Sequence, residues 1–207
     1  MTGPTKKELR RGHILAAAQA VAARDGAGAA TLRAIASEAG MAPNAVLYYF
    51  GGLAEIEAAA VQASSDRFLL SLAAAVESRE GPTDRLAAAL QAGISGGLED
   101  DASRILYEYW SHSLRNAELR RIQEEFTRAQ QSSYEGIIAD GIASGEFHPV
   151  LEPSDIARII VAQEDGLVMD VLSGVASSRH VFELNARLAA VLLAVDPARL
   201  LQPAAVR

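Results

Sequence analysis

The chain has 207 residues, half of them hydrophobic and 22% charged, enough apolar mass to bury a full core and too much for a disordered chain. It contains no cysteine, which excludes disulfides, thiolate metal sites and cysteine nucleophiles. The net charge of −7 argues at first against a nucleic-acid partner, but residues 1–52 carry Lys6, Lys7, Arg10, Arg11, Arg24 and Arg33 against Glu8, Asp25 and Glu38, a net of +3 that leaves −10 for the remainder.

No strand alternation persists along the chain and alanine is abundant, so the expected fold is all-α, with nine helices. The N-terminal "MTGPTKKELRRGH" lacks the apolar stretch of a secretion signal. The longest apolar run, "LAAVLLAV" at 188–195, falls short of the ~20 residues a membrane span needs, so a soluble cytoplasmic protein is expected.

The first helix is expected from about Thr5 to Asp25, with Ile14, Leu15, Ala18, Val21 and Ala22 on its buried face and "GAG" at 26–28 ending it. Thr31 reads as the N-cap of a second helix with Leu32, Ile35, Ala36 and Ala39 inward. Gly40 breaks it at a position suited to positive φ, and Pro43 opens a third helix reaching about Phe50. "GG" at 51–52 marks a domain boundary. Six helices should follow: Leu53 to Arg79 with a break near Ser64, one from "GPT" at 81–83 to Ile94, Asp101 to Arg115, Ala117 to Ser144, Asp155 to Leu172 and His180 to Val195, then a tail from Pro197.

Two short helices joined by a glycine-containing turn form a helix-turn-helix arrangement. The run "TLRAIASEAGMAPNAVLYYF" at 31–50 resembles the DNA-binding signature of the TetR (tetracycline-repressor) family, with Thr31, Ile35, Ala36, Ala39, Gly40 and Phe50 at the family's spacing. "GEFHPVLEPSDIARIIVAQEDGL" is similar to a connection and penultimate helix of that family. Three positions depart from it. Leu47 replaces a phosphate-contacting tyrosine, Tyr49 a histidine, and Leu53 a lysine that contacts phosphate.

The resemblance implies a DNA-binding domain over residues 1–52 and a ligand-binding and dimerisation domain over 53–207. The implied partners are a double-stranded DNA operator, a small-molecule effector and a second copy of the chain, with no membrane partner, cofactor or metal. Thr31, Arg33, Ala42, Pro43, Asn44, Leu47 and Tyr48 are candidates to face DNA. Among these, Asn44 is the candidate for adenine, and Leu47 or Ala42 for a thymine methyl. Lys6, Lys7, Arg10 and Arg11 would add nonspecific attraction to phosphates. Tyr49 is expected to pack inward.

One helix-turn-helix reads few base pairs, so a dimer is expected. Its seam candidates are Ile156, Ile159, Ile160, Gln163, Gly166, Leu167 and Leu172 from one helix, with Val181, Leu184, Leu188, Val191 and Leu192 from the next. Gly166 in mid-helix suggests a close backbone crossing. Effector contacts are assigned to Tyr107, Trp110, Phe68, Gln163 and Met169, residues that serve as well in an ordinary core. The function implied is a ligand-responsive repressor released from a palindromic operator. An enzyme or a helical interaction protein without DNA binding is the alternative. The four histidines form no Glu-x-x-His pair, "EDD" at 99–101 reads as a charged helix start, and "GISGG" at 93–97 lacks the strand that a nucleophile elbow needs. No enzyme is expected.

Overall fold

The computed structural model describes residues 3, 5–95 and 101–201. Among these residues there are eleven α-helices, one 3-10 turn and no strand, so the all-α expectation stands while the count of nine does not. Both extra helices have local causes. The segment expected as one helix from Asp101 to Arg115 is interrupted at Tyr109, giving α6 (Asp101–Glu108) and α7 (Trp110–Ser113), and the expected tail winds into α11 (Pro197–Leu201). The glycines at 96–97 and the acidic pair at 99–100, on which the helix-stop and helix-start readings partly rest, lie outside the described residues.

The described residues fall into two compact units. The first holds the residues up to Arg67 together with 101–123, and the second holds Phe68–Ser95 and the residues from Glu124 onward.

In the first unit, α1 (Lys6–Asp25) begins at a reciprocal cap: the Thr5 hydroxyl accepts the Glu8 N–H at 3.2 Å, and the Glu8 carboxylate accepts the Thr5 N–H at 2.6 Å. Its alanine-rich face buries Ile14, Ala17, Ala18, Val21 and Ala22, the alanines allowing close approach to neighbouring helices. A 3-10 turn (Ala27–Ala29) leads to α2 (Leu32–Glu38), which starts where the Thr31 hydroxyl accepts the Ala34 N–H at 3.2 Å. Gly40 takes φ +62°. The Gly40 N–H reaches the Ser37 carbonyl at 3.1 Å and the Met41 N–H reaches the Ala36 carbonyl at 2.8 Å, the paired bonds of a Schellman stop. Pro43 then opens α3 (Pro43–Tyr49), and α4 (Leu53–Glu77) follows without the interruption expected near Ser64. Ser64 and Ser65 are buried: Ser65 returns its hydroxyl to the Val61 carbonyl at 3.0 Å, and Ser64 accepts from Gln19 at 3.1 Å, so neither disturbs the helix.

The second unit is built on the end of α4 from Phe68, α5 (Pro82–Ser95), the part of α8 (Ala117–Ala143) from Glu124 onward, α9 (Pro153–Leu172), α10 (Ser178–Leu193) and α11, with Leu90, Tyr134, Ile138, Phe147, Ile160 and Leu193 in its core. Gly141 lets the Phe147 ring lie where a side chain would stand: an added Cβ would be 2.0 Å from the ring. Leu200 of α11 is wholly buried.

Candidate nucleic-acid interface

The position of α3 is set from both its ends. Val46 and Phe50 are buried, which turns the helix so that Ala42, Pro43, Asn44, Leu47 and Tyr48 are exposed. Asn44, Leu47 and Tyr48 stand at i, i+3 and i+4 and therefore share one face. On that face Tyr48 is 79% exposed and Leu47 41%. Tyr49 is half-buried and meets the Tyr48 ring edge-on at 5.1 Å, as expected of a packing residue.

Arg11 ties the C-terminal end of α3 to the rest of the unit. Its guanidinium lies 3.9 Å from the centre of the Phe50 ring, donates to the Tyr49 carbonyl, and pairs with Glu55 of α4 at 3.1 Å. Glu55 also accepts the Gly51 N–H at 2.7 Å. That bond, and then the Arg11 guanidinium, hold its carboxyl below the usual carboxylate range. Arg11, expected to supply nonspecific attraction to DNA, is instead committed to this joint. Leu53, where a phosphate-contacting lysine was noted as missing, is half-buried at the start of α4.

The remaining candidates are available. Lys6, Lys7 and Arg10 are exposed along the first turns of α1, and Arg33 is exposed on α2. Thr31 is exposed too, its hydroxyl oxygen occupied by the α2 cap while its proton remains available to an acceptor. His13 bonds the Ala39 carbonyl at 2.9 Å and Gln19 donates to the Ala60 carbonyl at 3.2 Å, fixing α1 against the end of α2 and against α4. The Ala27 N–H after α1 donates to Glu108 of α6 at 3.3 Å. The turn that leads into α2 is thus anchored to a helix some eighty positions away in the chain.

The match to known families decides what this arrangement belongs to. Residues 14–60 match the family described as bacterial regulatory proteins, tetR family, and residues 82–198 match that described as BetI-type transcriptional repressor, C-terminal. The chain belongs to the TetR family. It is 26% identical over 188 residues to YfiR, an uncharacterized HTH-type transcriptional regulator of Bacillus subtilis (strain 168), covering 85% of this chain and 91% of that one. The fold is shared with a TetR-family regulator from Rhodococcus sp. (TM-score 0.80, 24% identity, 89% of this chain and 99% of that one). It is shared as well with a transcriptional regulator from Saccharomonospora viridis in complex with choline (TM-score 0.79, 22% identity, 86% of this chain and 94% of that one). As a TetR-family member the protein is a DNA-binding transcriptional regulator rather than an enzyme.

The residues assigned to an effector do not gather in one place within either unit of this TetR-family chain. Tyr107 and Trp110 stack with centroids 6.2 Å apart and planes 9° apart in the first unit, where Tyr109 is buried and meets His112 edge-on at 5.3 Å. Phe68, Gln163 and Met169 belong to the second unit. There Phe68 meets Phe126 edge-on at 5.2 Å, Gln163 is half-buried and Met169 exposed.

The seam candidates on α9 and α10 separate by face. Ile156, Ile160 and Val181 are fully buried within the chain, which corrects their assignment to a seam: they complete its own core. Ile159, Leu184 and Val191 are exposed, with Gln163, Leu167 and Leu188 half-buried beside them. Gly166 has open space where a Cβ would stand, with nothing within 4 Å, so no crossing inside the chain explains it.

A buried polar cluster went unread in the sequence. The Glu164 carboxyl is enclosed by α5, α8, α9 and α10. It accepts from the Tyr134 hydroxyl, from Gln130 at 3.0 Å and from Asn185 at 3.2 Å, and Gly93 stands so close that an added Cβ would be 2.5 Å from it. Burial pushes its pKa up to about 8, and Asp165 adds to the rise; the donors from Tyr134, Gln130 and Asn185 oppose it. The only hint in the sequence is a glutamate on the apolar side of a helix, at i+4 from Ile160 and i−4 from Val168.

No helix among the described residues is long and apolar enough to cross a membrane. The described residues also offer no group of three or more His, Cys, Asp or Glu placed to hold a metal ion.

Proposed function

We propose that this TetR-family regulator is a cytoplasmic repressor that binds a palindromic operator as a homodimer and is released by a small molecule. Residues 1–52 read the DNA, and residues 53–207 bind the effector and pair the two copies. The observation that carries this reading is the clamped α3, whose packing residues are locked inward while an amide, a phenol and an aliphatic side chain are left facing solvent on one side. Such a face suits the major groove, where bases present donors, acceptors and methyl groups at fixed positions.

Lys6, Lys7, Arg10, Thr31 and Tyr48 contact phosphates in this reading, and Arg33 and Asn44 contact bases. The exposed stripe of Ile159, Gly166, Leu184 and Val191, flanked by Gln163, Leu167 and Leu188, is covered by the same stripe of a second copy, as two-fold symmetry requires. The candidate effector contacts are Tyr107 and Trp110 within the first unit, or Phe68, Gln163 and Met169 within the second. A small-molecule ligand accords with the choline found in the Saccharomonospora viridis neighbour. The effector acts by favouring a separation of the two reading helices that no longer fits the operator, and it shifts binding only by its differential affinity for the two states.

Titrating labelled promoter DNA and random DNA with the full-length protein over a range of salt tests the reading. Specific binding should exceed nonspecific binding, and Arg33→Ala and Asn44→Ala should each weaken only the specific part, by ~1–3 kcal/mol. Equal affinity for both DNAs would overturn it.

A further inference from the structure

From Ala39 to Ala54 the chain carries no charged side chain, a run that includes the Gly40 turn, the whole of α3 and the glycines after it. The exposed part of α3 therefore offers base edges one carboxamide, from Asn44, the apolar surfaces of Ala42, Pro43 and Leu47, and the phenol of Tyr48. Guanine shows the major groove two acceptors, N7 and O6, and needs a two-donor partner such as arginine or lysine. Cytosine shows an N4 donor and needs an acceptor, best a carboxylate. Neither an arginine or lysine nor a carboxylate is present on α3. Asn44 can donate to N7 of either purine, but only adenine returns an N6–H for its carbonyl. Thymine adds a C5-methyl, the one apolar group on the floor of the groove, and Leu47 is the aliphatic side chain that this helix leaves in water. A G·C edge pressed against Leu47 would lose water from its polar atoms and gain no partner.

We infer that α3 reads A·T base pairs, Asn44 taking an adenine edge and Leu47 with Ala42 packing on thymine methyls, while direct contact with guanine is left to Arg33 on α2. The inference rests on the reading of α3 as the helix that enters the major groove, and it adds the base chemistry of the operator to that reading. Leu47 becomes a specificity residue in its own right rather than a lost phosphate contact.

The test uses the half-site that the full-length protein selects from a random duplex pool, resynthesised with deoxyuridine in place of each thymine in turn, which deletes a methyl group and leaves the pairing intact. At the one or two positions under α3, affinity should fall about fourfold per methyl. The Leu47→Ala protein should bind the thymine and uracil duplexes alike at the position that Leu47 covers. Asn44→Ala should lose its preference for adenine over guanine at one position. Leu47 and Asn44 are both exposed, so these variants keep the buried side of α3 intact. A sharply selected half-site with G·C pairs under α3, or one insensitive to removal of every methyl, would overturn the inference while leaving the regulator reading in place. Failure to select any sequence would overturn both.

Discussion

The Glu164 carboxyl joins three helices of the second unit, accepting from Tyr134 and Gln130 on α8 and from Asn185 on α10. Its pKa of about 8 lies above the ordinary 4.5, so the folded protein keeps a proton that the unfolded chain releases between these values. The folded state then binds more protons than the unfolded one, and stability falls as pH rises through that window, by roughly 1 kcal/mol per unit. The groups around the carboxyl are Tyr134 and Gln130 from α8, Asn185 from α10 and Asp165 from its own helix; none of these is positively charged, and the three hydrogen bonds offset only part of the burial that favours the protonated form. Replacing Glu164 with Gln should flatten the decline in stability between pH 6 and pH 8, followed by urea unfolding at each pH. Parallel curves for the two proteins would remove Glu164 as the cause. Gly141 makes a steric prediction at the same scale. Alanine there places a methyl 2.0 Å from the edge of the Phe147 ring, and overpacking of this kind should cost on the order of 3 kcal/mol, read as a lower unfolding midpoint at unchanged slope.

Among the elements, the joint at Arg11 determines how α3 is presented. Its ion pair with Glu55 is partly exposed and contributes less than about 1 kcal/mol, and the contact with the Phe50 ring adds a similar amount. Arg11→Ala should therefore lower stability by about 1 kcal/mol. Because Arg11 holds α3 rather than a phosphate, the variant should weaken operator binding without changing the salt dependence. Loss of about one from the slope of log K against log salt would make it a phosphate contact instead.

The reader module was legible in the sequence because its signals are local: Thr31 caps, Gly40 stops, Pro43 starts, and Ile35, Ala36 and Val46 fall on the buried side. Elsewhere the determinants are tertiary. The α10 helix ends in a left-handed Ala194 at φ 54°, where no glycine announces the stop, and α6 breaks at a buried tyrosine that any helix could carry. The Glu164 cluster draws on positions 93, 130, 134, 164 and 185, which no spacing rule connects. Gly166 misled for the converse reason: a mid-helix glycine suggests a crossing, and the close approaches are at Gly93 and Gly141.

For the whole molecule, one face of α9 and α10 builds the chain's own core and the other is the exposed stripe assigned to the proposed dimer. Apolar periodicity marked both helices but could not separate the core-facing Ile156, Ile160 and Val181 from the exposed stripe, since both helices carry apolar side chains on the exposed side as well as the buried one. Val191 is 75% exposed, so Val191→Glu adds a charge without entering the core; it should convert the proposed dimer to a folded monomer in sedimentation and weaken operator binding steeply. A variant that stays dimeric would place the seam elsewhere.

The most direct test of the account is selection of bound duplexes from a random pool by the full-length protein. The account predicts an inverted repeat whose half-site centres lie about 10 base pairs, or a multiple, apart, the separation that brings two α3 helices to the same face of DNA. Enrichment of no sequence, or of a single unrepeated site, would contradict it.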